Sequence, residues 1–126
     1  DANIPSLLSL PYLGYLGVND TMYRNTRSRL LSERTNPYFF SGRNGSGIGS
    51  PHTNSSWIWP MSIIMQVMTS NNDTEIMRAL NVLKTTTANT NFMHEAFYKN
   101  DPKRYTRSWF AWCNNLFGHM ILQLVQ

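Results

Sequence analysis

Apolar positions recur at helical spacing along most of this chain, and polar connectors separate the stretches that carry them. Ser6 to Leu16 holds Leu7, Leu8, Leu10, Leu13 and Leu16, with Pro5 suited to a first helical position and Pro11 placed to kink or split the helix. Asp20 predicts the N-cap of a helix to about Glu33, with Tyr23, Leu30 and Leu31 on one face and Arg24, Arg27 and Arg34 elsewhere. A further helix is expected from near Pro60 to Thr69. Asp73 then caps an amphipathic helix, with Ile76, Ala79, Leu80 and Leu83 at the i, i+3, i+4, i+7 spacing. The last helix, Trp109 to about Val125, is apolar nearly all round, broken by Asn114, Asn115, Gly118, His119 and Gln123. Two connectors lack a helical period, Asn36 to Ser56 and Thr85 to Lys103. The first holds Gly42, Gly45, Gly47 and Gly49 with two prolines, and a long loop without regular structure is usually functional. No strand, heptad or short repeat stands out.

The expected fold class is therefore all-α, about five helices in antiparallel pairs, with the His52 and Glu95 loops at the same end. A helix apolar all round must be wrapped by others, and this many helices cannot wrap the last one. These residues are expected to belong to a larger helical assembly and to leave apolar side chains bare on one side.

Composition narrows the class. The chain has 126 residues, 41% hydrophobic and 14% charged, which excludes intrinsic disorder and suits one domain without an internal boundary. The net charge of +4 does not require a polyanionic partner. A single cysteine, Cys113, excludes an internal disulfide. The opening DANIPSLLSLPYLG lacks the positive region and cleavage site of a signal peptide and reads as a mature or internal start. The most apolar run, Ile58 to Met68, is about half the roughly 20 residues a spanning helix needs, so no membrane span is expected. Sequons at Asn19, Asn44, Asn54 and Asn72 permit secretion, and the secretory pathway is the localisation they favour.

The connectors carry the candidate chemistry. Gly47-Ile48-Gly49-Ser50-Pro51-His52-Thr53 is glycine-rich, but it lacks the lysine of a phosphate loop and the strand before a dinucleotide turn. It reads as a constrained loop presenting His52. The three histidines, His52, His94 and His119, have no metal-ligand spacing, so no metal is expected. Glu95 lies amid Phe92, Met93, Ala96, Phe97 and Tyr98. A carboxylate there is either an acid or base with a tuned pKa or half of a salt bridge to Arg104 or Arg107. Trp109 and Trp112 read as core, whereas Trp57 and Trp59 flank a helix start where a ring could stack on a sugar. Arg24, Arg27, Arg29 and Arg34 read as a solvated helix face and not as a nucleic-acid patch.

These loops resemble glycoside hydrolase family 125. Asp1 to Gly14 is similar to the family's DDANIPSLLSLPYLG segment, without its first Asp. The likeness continues through Gly47 to Thr53, Ile58 to Gln66, Phe92-Met93-His94-Glu95-Ala96-Phe97 and Thr106 to Trp112, in family order. The resemblance implies an exo-acting α-1,6-mannosidase on an (α/α)6 barrel, inverting and metal-independent, with no cofactor. It implies α-mannosides or mannose-containing N-glycans as partners, together with the remainder of the same catalytic domain. Residues 1–126 look like the C-terminal third of that domain, and the isolated chain is expected to be inactive. The sequon-rich character looks more like the fungal branch than the bacterial one.

By resemblance Glu95 matches the general base, whereas the general acid is an Asp outside this chain. Asp1, Asn3, His52, Trp59 and Arg107 lie in matched motifs and are expected to be wall and sugar contacts. The sequence departs from the family at Asn54, where proline is usual, at Asn91 for glycine, at Ala96 for serine, and at Cys113-Asn114-Asn115 for Ala-Asn-Ser. These departures bear on fine specificity. The rival reading is a non-catalytic helical interaction module, which has no need of two such loops at one end.

Overall fold

Asp20 starts the first helix as its sequence suggests. The carboxylate accepts hydrogen bonds from the backbone N–H of Met22 (2.8 Å) and Tyr23 (3.2 Å), opening α1 at Thr21–Leu30. Tyr23 is buried beneath it, and its hydroxyl donates to the Leu8 carbonyl at 2.7 Å. The computed structural model, which describes residues 1–126, leaves only a single 3-10 turn, Leu7–Ser9, of the helix expected between Ser6 and Leu16. Pro11 cannot donate to a helical ladder, and Gly14 turns the chain at φ +74°.

The central helix is α2, Pro60–Met68. Proline occupies its first turn, where no N–H is missed, and every residue but Gln66 is buried. α3, Asp73–Thr85, packs against it and is capped by the Asn72 side chain, which accepts from Glu75 N–H at 3.1 Å. The cap thus falls one residue before the expected Asp73. At the junction Gln66 Nε2 donates to Glu75 Oε1 (2.7 Å), and Arg27 bridges the Gln66 carbonyl (3.0 Å) and Glu75 Oε1 (2.9 Å). Arg27 is therefore a tie between three helices and not part of a solvated face.

Burial pushes the Glu75 carboxyl up, but hydrogen bonds from Ser70, Gln66 and Arg27, with the Arg27 charge, outweigh it and hold the pKa below the ordinary value. A carboxylate so depressed stabilises the fold above its ordinary pKa of 4.5 and loses that contribution as pH falls through the folded-state value. The melting temperature is expected to drop as the pH is lowered from about 4.5. In Glu75→Gln it should start lower at neutral pH and show a shallower acid decline. Parallel acid profiles for the two proteins in thermal melts would remove Glu75 as the cause.

The expected all-α class, with antiparallel pairs forming part of an (α/α)6 barrel, is overturned by five strands. β1, Phe39–Gly42, and β2, Gly45–Ile48, form an antiparallel hairpin in the register Phe39↔Ile48 to Gly42↔Gly45. β3, Trp57–Ile58, β4, Ala96–Tyr98, and β5, Asp101–Thr106, form a second antiparallel sheet in that order. The chain is mixed α and β. Glycine explains why these strands escape a reading by side-chain propensity. A Cβ on Gly47 would lie 2.6 Å from Ile58 Cγ2, and one on Gly49 would lie 2.4 Å from the Trp57 carbonyl, so the strands meet only because these positions carry none.

α2 and α3 are antiparallel, joined at the Gln66–Glu75 end. The last helix, α4, Ala111–Leu124, runs parallel to α2. Phe110 at its start packs on Trp59 at the start of α2, and Gln123 near its end donates to the Met68 carbonyl at 3.3 Å. Only Cys113, Leu116 and Met120 of α4 are buried. Trp112, Leu122 and Leu124 lie exposed along it, so the bare apolar side expected of the last helix is present. No helix is long and apolar enough to cross a membrane.

Candidate active site

The parallel run of α2 and α4 brings their N-terminal ends together, and the sequence motifs converge there. β2 hands the chain to the loop at Gly49 and Ser50. Ser50 is buried, and its hydroxyl oxygen accepts from Asn3 Nδ2 (3.4 Å) and from the His52 N–H (3.3 Å). Ala2 N–H donates to the Gly49 carbonyl at 2.9 Å, which lays Asp1 and Asn3 alongside this loop. Asp1 Oδ1 accepts from Asn3 N–H at 3.1 Å. The exposed His52 ring lies 6.3 Å from the Trp59 ring, and Trp59 donates its indole N–H to Thr53 Oγ1 at 2.9 Å.

Trp59 is only 2% exposed, so it backs the wall instead of offering a free ring face. Its ring meets Phe110 edge-on at 6.2 Å, and the Arg107 guanidinium lies 5.9 Å from the Phe110 centroid. Arg107 Nε then donates to Glu95 Oε2 at 3.0 Å. All six residues singled out by the sequence thus join one chain of contacts, Asp1 and Asn3 through Ser50, then His52, Trp59, Phe110, Arg107 and Glu95. The His52 and Glu95 loops share one end of the helices, as expected.

The salt bridge anticipated for Glu95 is made with Arg107 and not with Arg104, which lies over the rings of Tyr98 (4.4 Å) and Trp57 (5.8 Å) instead. The Glu95 side chain is 16% exposed and that of Arg107 is 64% exposed, so the pair sits at the rim of the fold. It engages Oε2 through Nε alone.

Three contributors, Phe110, His94 and Asn114, were not singled out as site residues from the sequence. Phe110 joins Trp59 to Arg107. His94, beside Glu95, is buried with backbone carbonyl oxygens facing both ring nitrogens and Tyr105 stacked on its ring. Asn114 Nδ2 donates to the Met93 carbonyl (2.9 Å) while its Oδ1 accepts from Met93 N–H (3.0 Å), holding the strand-like segment before Glu95 against α4. An amide in an otherwise apolar helix was the visible signal for Asn114, since it is costly there unless it serves a backbone. Trp109 and Trp112, expected in the core, are instead 56% and 44% exposed.

Asn91, where the family usually has glycine, sits at φ +62°, in the left-handed region that glycine and asparagine accept most readily. No three side chains among His, Cys, Asp and Glu gather closely enough to hold a metal ion. Burial pushes the Cys113 thiol up to about 12, which leaves it without nucleophilic character at neutral pH.

Residues 1–122 match the family described as metal-independent alpha-mannosidase, GH125. The chain belongs to that family. It is 50% identical over all 126 residues to the meiotically up-regulated gene 157 protein of Schizosaccharomyces pombe, of which it spans 25%. Among solved structures it is similar to a Streptococcus pneumoniae protein from a study of metal-independent alpha mannosidases, described as a non-productive substrate complex with α-1,6-mannobiose. That likeness has a TM-score of 0.93 and 42% identity, and covers 98% of this chain and 29% of the other. The chain thus spans between a quarter and a third of the GH125 relatives it matches. A fungal protein is among them, the branch toward which the sequons pointed.

Proposed function

We propose that this chain supplies one side of the active site of a GH125 glycoside hydrolase that removes terminal α-1,6-linked mannose with inversion, without a metal or other cofactor. The observation that carries the reading is the placement of Glu95, poorly exposed yet at the rim, paired with Arg107 and linked through Phe110 and Trp59 to the His52 loop. Inversion needs a carboxylate that takes a proton from water while a carboxylic acid on the other face protonates the leaving oxygen. The two stand about 6.5–9.5 Å apart to admit that water. Glu95 is the base in this reading. Arg107 holds Oε2 and leaves Oε1 to face the water. Water oxygen bonds to the anomeric carbon as the glycosidic C–O bond breaks, and the second carboxyl, an Asp, comes from the remainder of the catalytic domain.

Asp1, Asn3, His52 and Arg107 then form the sugar-contacting wall, with Trp59 supporting it from behind. Residues 1–126 act as one portion of that domain, and the exposed side of α4 is where the remainder packs. The substrates are α-mannosides, including mannose-bearing N-glycans, met in the secretory pathway.

The test is the complete protein, treated with chelator and offered α-1,2-, α-1,3- and α-1,6-linked mannobiose while the anomer released is followed by NMR. Preferential cleavage of the α-1,6 linkage with β-mannose appearing first is expected. Preference for α-1,2, α-mannose as first product, or activity that only divalent ions restore would overturn the reading.

A further inference from the structure

His94 is the most constrained polar side chain in this region. It is 1% exposed, and both ring nitrogens face backbone carbonyl oxygens. Nε2 lies 3.1 Å from the Thr87 oxygen, just past the end of α3. Nδ1 lies 3.1 Å from the oxygens of both Arg107 and Ser108, in the turn between β5 and α4. The flat of the ring stacks on Tyr105 of β5, with centroids 4.0 Å apart and an interplanar angle of 5°. One imidazole thereby touches two stretches of chain far apart in sequence, Thr87 and Tyr105 to Ser108, while its own backbone leads directly into Glu95.

Those stretches are the ones the ion pair depends on. The Thr87 end bounds the connector that carries Glu95. The Arg107 backbone oxygen lies 3.1 Å from His94 Nδ1, and the Arg107 side chain donates to Glu95. Arg107 also holds a left-handed backbone, φ +50°, which a side-chain-bearing residue adopts only when its surroundings enforce it. His94 is placed to enforce it, because its ring fixes the Arg107 and Ser108 carbonyls from below.

We infer that His94 is a positioning residue for the Glu95–Arg107 pair, setting the distance and angle at which Glu95 meets the water of the hydrolysis. The inference rests on the reading of Glu95 as general base. His94 does not touch substrate. It acts by holding both members of the pair from their backbones, so its effect should fall on turnover and not on sugar binding.

The complete protein tests this with three variants assayed on an α-1,6-linked mannobiose, each rate divided by the folded fraction. His94→Phe keeps the stack on Tyr105 and removes every ring N–H. It should lower kcat by about 10- to 100-fold, the scale of a misplacement near 1 Å, with KM within about twofold of the parent. His94→Gln returns one N–H donor and should recover part of the loss. Where His94→Phe does not fold, His94→Gln carries the comparison, and a lowered kcat at unchanged KM is again the supporting result. Glu95→Gln is the control for the underlying reading. If it keeps near-normal turnover, the base assignment falls and this inference with it. If it is crippled while the folded His94 variants turn over within twofold of the parent, or lose activity through KM alone, the positioning role is overturned and the base assignment stands.

Discussion

In the complete protein, Glu95→Gln should lower kcat by about 10²-fold or more, the usual scale of the general-base role proposed for it, while mannose binding is largely retained. Glutamine keeps the size of the side chain and one acceptor for Arg107 Nε, but it cannot take a proton from water. The ion pair with Arg107 supplies a competing explanation, since its loss alone would weaken the fold and leave turnover per folded molecule nearly intact. Because Arg107 is mostly exposed, that structural contribution is small, of the order of 0–1 kcal/mol for a solvent-facing pair. Measuring kcat per folded molecule beside a melting curve separates the two. A variant with near-normal kcat and a lowered melting temperature would remove Glu95 from the mechanism.

The largest expected effect on stability lies two residues further on. Phe97 is fully buried in β4, the middle strand of its sheet, in register with Ile58 on one side and Tyr105 on the other. Phe97→Ala should destabilise the fold by about 3–5 kcal/mol, the transfer loss and the cavity together. That is a large share of the roughly 5–15 kcal/mol of a typical domain. Phe97→Leu, which keeps most of the volume, should lose less than about 1.5 kcal/mol. The consequence reaches the site, because Ile58 leads into Trp59 and Tyr105 supports His94. Denaturant midpoints of the complete protein would register this, and equal midpoints for Phe97→Ala and the parent would show that the strand is not held from within.

Long periodic segments were legible without coordinates. α1, α2 and α3 follow from Asp20, from Pro60 ahead of an apolar run, and from the Ile76, Ala79, Leu80, Leu83 stripe, because a cap and a 3.6-residue period leave few alternatives. The strands were not legible. β3 has two residues and β4 three, too few for alternation to declare itself, and β2 is written largely in glycine.

At the site, motif resemblance carried Glu95 and its neighbours, but nothing local announces that His94 meets Arg107. That meeting depends on the β4–β5 register and on its irregularity between Phe97 and Tyr98. A register of this kind is settled by packing across the sheet and not by the identity of either residue. Trp109 and Trp112 were misplaced for a similar reason. An apolar side chain on a helix gives no sign of whether its cover lies within the same stretch of chain.

Four residues without the freedom of glycine hold left-handed backbones in the segments that flank Glu95 and Arg107, Ala88 (φ 50°), Asn89 (φ 61°), Asn91 (φ 62°) and Arg107 (φ 50°). Asparagine accepts this region readily, but at Ala88 and Arg107 it stores strain, of the order of 1–3 kcal/mol in unfavourable cases. For anyone engineering a more heat-resistant enzyme, this is where relief looks easiest to obtain, and also where it conflicts with turnover. Relaxing these turns frees the two segments that aim Glu95 and Arg107 at each other. Heat resistance is better sought in α1 and the start of α3, away from that junction, where added rigidity takes nothing from the aim of the carboxylate.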